Sequence, residues 1–560
     1  MPAKLELQKH PALTTFTAPT VLCIMDGVGW GRRDRGDAVF TANTPTLDRL
    51  MAEHPWRLLQ AHGPAVGLPD WGDMGNSEVG HNALGGGRVF DQGAKLVSAA
   101  IADGSIFEGA TWRDVVARPG LHLLGLLSDG NVHSHADHLL ALVGGAARAG
   151  VAKLRVHVLT DGRDVAERSA LTWVEPLEAL LAEHRAAGRD YRIAGGGGRM
   201  NITMDRYEAD WSMVQRGWDC HVHGGARPFP SASQAIRTLY EEDPTITDQF
   251  LPAFTVVDDD GEPVGRVLDG EAMILFAFRG DRALEISRAF EGRDLPAHFV
   301  SEGRDGRPAP ADVLYAGMMQ YDGDLHIPSR YLVEPPAIVR TVSDYFAANR
   351  ITAYAVSETQ KFGHVTYFFN GNCSAPVNPE LETWHEVTSD LGDFDKAPAM
   401  KAVEITDALV EAIASGRYRH LRLNLANGDM VGHTGSFNAA VAAVEAVDDA
   451  LARIEAAVRE QGGVLMITAD HGNADQMNEV DKKTGDYKLD SLGEPVVRTA
   501  HSLNPVPFVL VDHSGEFQLN DTAGDDAGLG NVGAALLTVV GLEPPADYLP
   551  SVVALRSTSA

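Results

Sequence analysis

The chain has 560 residues, 44% of them hydrophobic and 22% charged, with a formal net charge of −30 and three cysteines. That length exceeds one ordinary core and suggests two or three domains of globular composition. The acidic balance excludes a binder of nucleic-acid backbones, which needs a basic surface, and the lack of any apolar run near ~18 residues argues against a membrane span.

The start, "MPAKLELQKHPALTTFTAP", lacks the charged-then-apolar layout of a secretory signal. The scattered Cys23, Cys220 and Cys373 argue against a disulfide framework and exclude a thiolate metal cluster of the usual spacing. They fit a reducing, cytoplasmic setting, so a metal here is held by oxygen and imidazole.

Along the chain, short apolar runs end abruptly in polar, glycine-rich turns. "TVLCIMDGVGWG" reads as a buried strand running into Asp26, and "GDMGNSEVGHNALGGGR" then offers Ser77 among glycines, with His81 beyond it. "LHLLGLLSDG" runs into Asp129, and "LRVHVLTDGRD" into Asp161 and Asp164. "LRLNLANGDMVGH" runs into Asp429, and "VLMITADHGNAD" into Asp470 and His471. Such runs are typical of parallel strands covered on both faces. Between the last two, Val441, Val444, Val447, Leu451, Ile454 and Val458 follow helical spacing until Gly462–Gly463 stop it. That is a βαβ unit, and the chain as a whole reads as α/β. The one low-complexity tract is a short "GGGG" at 195–198.

In open parallel sheets, ligands bind beyond the carboxyl ends of the strands. A lone aspartate there is ordinary turn chemistry, but here a set collects. Asp26, Asp429 and Asp470 with His433, His471 and His501 (in "RTAHSLNPVPF") give three carboxylates and three imidazoles. The set suits Mn²⁺, Co²⁺, Zn²⁺ or Mg²⁺ and is large enough for two ions. Two ions can clamp both oxygens of an in-line phosphoryl transfer, and a serine beside them becomes a nucleophile. Ser77 is the natural candidate. His81 reads as structural.

A competing site lies in "GLLSDGNVHSHADHLL". His133-x-His135-x-Asp137-His138 has the spacing by which metallo-β-lactamase-like hydrolases hold two zinc ions. The further ligands such a site needs downstream are already claimed by the fuller set, so this motif reads as a decoy.

"MDGVGWG", "GNSEVGH", "SDGNVHSHADH", "TDGRDV", "FRGDRALEIS", "ETQKFGHVTYFFNG", "NGDMVGHTG" and "TADHGNAD" resemble, in that order, the cofactor-independent phosphoglycerate mutases of the alkaline phosphatase superfamily. The stretch "GRMNITMDRYEADWSMVQRGWD" resembles the longer form of plants and trypanosomatids. The resemblance implies that Asp429, His433 and His501 hold one metal, and Asp26, Ser77, Asp470 and His471 the other. Ser77 would carry the phosphoryl group transiently, and Lys361 would neutralise charge on it. Arg279 and Arg282 would grip the substrate phosphate. His133, Arg163, Asp164, Arg199 and Arg206 would hold the glycerate, with Asp164 also handling protons at its hydroxyls. His135 and His138 would be helix-start or packing residues.

The implied ligands come from both ends of the chain while the substrate residues lie between. This predicts an alkaline-phosphatase-like metal domain (1–91 and 336–560) interrupted by an inserted α/β substrate domain (92–335), with hinge linkers at the two crossovers. The expected reaction interconverts 3- and 2-phosphoglycerate through a phosphoserine, with two divalent ions, manganese foremost, and no 2,3-bisphosphoglycerate. The expected partner is this small molecule, not nucleic acid or membrane, and the expected state a cytoplasmic monomer. A metal-dependent phosphatase, a phosphopentomutase or a silent metal-binding relative are the alternatives.

Overall fold

Buried aliphatic runs dictate the strands. Thr20–Met25, His420–Leu425 and Val464–Thr468 are buried at every position, as parallel strands covered on both faces must be. The computed structural model describes residues 5–10, 13, 16–206, 210–300, 312–322, 325–336, 338–390, 392–481, 484–490 and 492–556. The chain divides into two compact units, Met1–Gln92 with Ala337–Ala560, and Gly93–Pro336. Both are α/β.

Among the described residues, the first unit holds a seven-stranded sheet in the order Glu382–Val387, Ala353–Glu358, His420–Leu425, Thr20–Met25, Val464–Thr468, Val506–Asp512, Trp56–Leu59. The first five strands run parallel, and Val506–Asp512 is antiparallel to both its neighbours. Register brings Met25 beside Leu425 and Ile24 beside Thr468, so three central strands end together.

The helix read from valine and leucine spacing spans Phe437–Glu460 and buries Val444, Val447, Leu451, Ile454 and Val458. Val441 is only half-buried. One turn of the same face instead carries a carboxylate inward. Asp448 accepts from the Thr46 amide at 3.0 Å and the Leu47 amide at 2.7 Å. It thereby caps helix Pro45–Glu53, whose own N-cap residue, Thr44, makes no side-chain cap bond. Asp448→Ala is expected to cost about 1–2 kcal/mol, the usual worth of a lost cap. A urea midpoint unchanged at constant slope would show that the cap contributes nothing.

The second unit also holds a seven-stranded sheet among its described residues, in the order Arg227–Phe229, Phe254–Val256, Asp190–Gly198, Lys153–Thr160, Leu121–Leu126, Ala272–Leu275, Leu314–Gly317. It is parallel except where Phe254–Val256 meets Asp190–Gly198. The glycine tract is thus no loop but the end of a buried strand. It lacks side chains because its neighbours crowd it: a Cβ on Gly196 would stand 2.0 Å from the Val158 carbonyl oxygen.

Cys23 and Cys220 are buried and Cys373 half-buried, and none of the three forms a disulfide among the described residues. No helix among the described residues is long and apolar enough to cross a membrane.

Candidate functional site

The first unit gathers acidic and imidazole groups where its central strands end. Asp26 directly follows Thr20–Met25, Asp429 sits in the short helix Asn427–Gly432, His433 closes that helix, and Asp470–His471 follow Val464–Thr468. His501 lies on the approach to Val506–Asp512. Each of these side chains is 5% exposed or less.

Two groups of ligand atoms converge, one of Asp429, His433 and His501, the other of Asp26, Asp429 and His471. In the first, Asp429 Oδ1 lies 3.0 Å from His433 Nε2 and 3.1 Å from His501 Nε2, and the two Nε2 atoms are 3.0 Å apart. Their tautomers follow from the other ring nitrogen. His433 Nδ1 donates to the Thr499 carbonyl and His501 Nδ1 to the Gly75 carbonyl, both at 2.7 Å. In the neutral rings both Nε2 atoms therefore present lone pairs to one another and to a carboxylate, an arrangement that takes a cation.

In the second group, His471 Nε2 stands 3.4 Å from Asp26 Oδ1 and 3.9 Å from Asp429 Oδ1. Asp429 thus serves both groups. Asp470 borders the second group: its Oδ2 is 3.8 Å from His471 Nε2, as near as Asp429, and 3.3 Å from His81 Nδ1. His81, read as structural, borders the centre by bonding the Ser77 carbonyl at 2.7 Å.

Ser77 opens helix Ser77–Gly86, whose N-cap Asn76 accepts from the Val79 amide at 3.2 Å. The start of a helix carries partial positive charge and unpaired amides, so it favours an oxyanion or phosphate on that residue. Ser77 Oγ lies 3.0 Å from His471 Nε2 and 2.5 Å from Lys361 Nζ. Lys361 is buried and also reaches Asp26 Oδ1 at 2.9 Å and Asp429 Oδ2 at 2.7 Å. It comes from Thr359–Gly363, which continues into a π-helical turn, His364–Phe368. Such turns recur where a helix must re-aim a side chain.

Three carboxylates around one ammonium leave the centre short of positive charge. Burial, reinforced by the charge of Asp470, pushes Asp26 up to about 7. Burial works against ionised Asp429 too, but His433 and Lys361 hold it well below the usual range. For Asp470, His471 and His81 overcome the burial and lower it. Crowded carboxylates that share too few cations are what a divalent ion relieves. The residues present fit such ions.

Two amides that spacing did not single out complete the centre. Asn424 Nδ2 donates to Asp26 Oδ2 at 2.6 Å, and Asn473 Nδ2 to Asp429 Oδ1 at 3.3 Å. Asn424 was findable as the amide one residue before the end of the buried strand His420–Leu425.

The second unit carries a basic cluster at its own strand ends. Arg199 follows Gly198, and its Nη1 bonds Asp161 Oδ1 at 2.8 Å and also pairs with Asp164. Arg206 Nη2 meets Asp281 Oδ2 at 2.7 Å, while Arg279 Nε lies 3.0 Å and His133 Nδ1 3.5 Å from Asp281 Oδ1. Asp281, an inconspicuous residue within "FRGDR", is therefore the hub. Arg282 Nη1 donates to the Met204 carbonyl at 2.7 Å.

Burial first, then Arg206, Arg163 and Arg199, push Arg282 well below the ordinary guanidinium range. Burial with Arg199, Arg279, Arg282 and Arg206 likewise lowers His133, which stays neutral. Asp161, Asp164 and Asp281, with Asp205 near Arg282, supply four carboxylates to five guanidiniums. A buried cluster with that surplus favours a small polyanion.

Of the "HSHADH" residues, only His133 joins this cluster. His135 is the N-cap of helix Ala136–Arg148, accepting from the Asp137 amide at 3.1 Å, and His138 Nε2 bonds Ser98 Oγ at 2.9 Å. Both are helix-start and packing residues.

Residues 18–544 match the model of the Metalloenzyme superfamily. A probable 2,3-bisphosphoglycerate-independent phosphoglycerate mutase of Leptospira interrogans is 50% identical over 96% of this chain and 98% of its own. The enzyme so named from Trypanosoma brucei brucei is 48% identical over 95% of this chain and 97% of its own. A crystal structure of Leishmania mexicana phosphoglycerate mutase at low cobalt concentration superposes with a TM-score of 0.94, at 45% identity, covering 98% of this chain and all of that one. With this identity over almost its full length, the chain belongs to the 2,3-bisphosphoglycerate-independent phosphoglycerate mutases of the Metalloenzyme superfamily.

Proposed function

We propose that the protein interconverts 3-phosphoglycerate and 2-phosphoglycerate through a phosphoserine at Ser77, without 2,3-bisphosphoglycerate. The observation that carries this is Ser77 Oγ, buried at a helix start, 2.5 Å from Lys361 Nζ and 3.0 Å from His471 Nε2 beside two ligand groups. Ser77 Oγ gives up its proton and bonds to phosphorus as the glycerate oxygen leaves and takes up a proton. The other hydroxyl of the same glycerate then gives up its proton and takes the phosphoryl group back, freeing the serine. Lys361 neutralises charge on the group in transit.

Bound divalent ions would supply charge stabilisation and ease deprotonation of the serine hydroxyl. Asp429, His433 and His501 would hold one ion. Asp26, Ser77, Asp470 and His471 would hold the other, with Asp429 shared between the two. The family resemblance puts manganese first, and the oxygen and imidazole donors also suit cobalt, magnesium or zinc.

A hydrolase needs only to let water reach the phosphoserine, whereas a mutase must retain the glycerate. In this reading Arg279 and Arg282 grip the phosphate, and His133, Arg163, Arg199 and Arg206 the glycerate, with Asp164 handling protons at its hydroxyls. Such retention favours the correct acceptor over water. The division of the chain, 1–91 and 336–560 against 92–335, would separate phosphoryl chemistry from glycerate holding. The glycolytic substrate and three cysteines outside any disulfide support action in the cytoplasm, and we take the protein to act as a monomer.

Chelator-stripped protein given 3-phosphoglycerate without bisphosphoglycerate should form 2-phosphoglycerate only after Mn²⁺ or Co²⁺ is added, with little free phosphate. Free phosphate without isomerisation would make it a phosphatase.

A further inference from the structure

One residue between Arg199 and Arg206 holds a backbone conformation its side chain resists. Thr203 has φ +70°, in the left-handed region, where a β-branched residue crowds its own backbone. It is kept there by a single helix, Trp211–His221. The Thr203 amide donates to the Met213 carbonyl at 2.9 Å, and its hydroxyl bonds His221 Nε2 at 2.9 Å. Burial pushes His221 down to about 3, so its ring stays neutral and the bond persists across the working pH range. The helix comes this close because residue 217 is glycine. A Cβ there would stand 2.2 Å from Thr203 Oγ1 and 2.9 Å from its Cα.

The kink leads straight into the basic cluster. The Met204 carbonyl, whose direction the Thr203 backbone sets, accepts from Arg282 Nη1 at 2.7 Å. Two residues on, Arg206 pairs with Asp281 at 2.7 Å. Thr203 and Met204 line the same small cavity as His133, Arg279 and Arg282. Strain of this kind persists only where the surroundings over-determine it, and it gathers at ligand sites.

We propose that Thr203, locked in the left-handed conformation by His221 and the Gly217 face of its helix, is a positioning residue that aims Arg282 and Arg206 at the anionic substrate. The proposal rests on the glycerate-holding role given to those arginines above. Thr203 itself exchanges no proton and touches no reacting atom; its effect is on binding geometry.

The test compares Thr203→Gly, Thr203→Ala and Thr203→Ser with the parent enzyme in kcat, KM, thermal midpoint and calorimetric affinity for 3-phosphoglycerate. Glycine relieves the strain, so Thr203→Gly should keep or raise the thermal midpoint. Its KM should nevertheless rise about tenfold while kcat changes less than about threefold, the signature of lost binding geometry. Thr203→Ser, which keeps the hydroxyl, should restore KM to within about threefold. Thr203→Ala keeps the strain without the bond, and should show both a lower midpoint and the raised KM. A Thr203→Gly enzyme with unaltered KM and affinity would overturn the proposal, as would a KM that rises only in step with lost stability. Should the parent not isomerise, the functional reading fails by itself, and the calorimetric affinities still decide the role of Thr203.

Discussion

Ser77→Ala is expected to lower kcat on the order of 10⁵-fold, because removing a nucleophile takes away the covalent route and not one contact among many. The geometry makes that loss separable from unfolding. Ser77 is the first residue of its helix, and the cap bond comes from Asn76, so alanine leaves the cap in place. Lys361 keeps its partners Asp26 and Asp429 when the hydroxyl is gone. Both imidazoles around Asp429 keep their backbone acceptors. The thermal midpoint measured without metal should therefore stay close to that of the parent, while the ion that Ser77 would help to hold should bind more weakly. Acid-quenched parent enzyme mixed with substrate should yield one phosphorylated peptide containing Ser77, absent from the variant. A variant that retains the phosphopeptide, or loses less than about 100-fold in kcat, would require another nucleophile.

The parts of this site that could be read in advance share one property: local pattern determines them. Asp26 and Asp470 follow short buried strands that are almost wholly apolar, and Asp429 lies four residues beyond the buried strand His420–Leu425. The helix Phe437–Glu460 shows its apolar stripe over six turns. His135 and His138, which the family resemblance sets apart from His133, lie at the start of a helix that His133 precedes.

Convergence in space is a different matter. That Asp429 stands between two ligand groups, with Asp470 to one side, depends on the register of three strands, and no spacing encodes it. Asp281 lies between two arginines in sequence and reads as a turn residue, yet it is paired with Arg279 and Arg206 and lies beside His133. The glycine tract at 195–198 has the composition of a linker and the position of a strand, because absent side chains make room for Val158. Thr203 shows the same limit from the other side. Threonine is a poor choice for a left-handed turn, so local preference argues against the conformation that packing imposes.

The shared position of Asp429 makes a prediction that the imidazoles do not. A ligand belonging to one group should, when removed, cost one ion; a ligand belonging to both should cost two. Asp429 Oδ1 lies 3.0 Å and 3.1 Å from the Nε2 atoms of His433 and His501, and it also completes the group with Asp26 and His471. Asp429→Asn preserves shape and removes the charge, and a neutral carboxamide is a weak bridge between two cations. After dialysis against limiting Mn²⁺, the parent should retain two ions, His433→Ala one, and Asp429→Asn close to none. Stability should follow the same order, since an ion that binds only the folded chain adds about 3–4 kcal/mol per site at 100- to 1,000-fold excess over its Kd. Added metal should therefore raise the thermal midpoint of the parent most and that of Asp429→Asn hardly at all. Without metal, the variant carries one fewer buried carboxylate around Lys361, which still bonds Asp26 at 2.9 Å, so its fold has no reason to fail. Two ions retained by Asp429→Asn, or both lost as completely from His433→Ala, would show that the carboxylate is not shared. The second ion would then be held by Asp26, Ser77, Asp470 and His471 without Asp429.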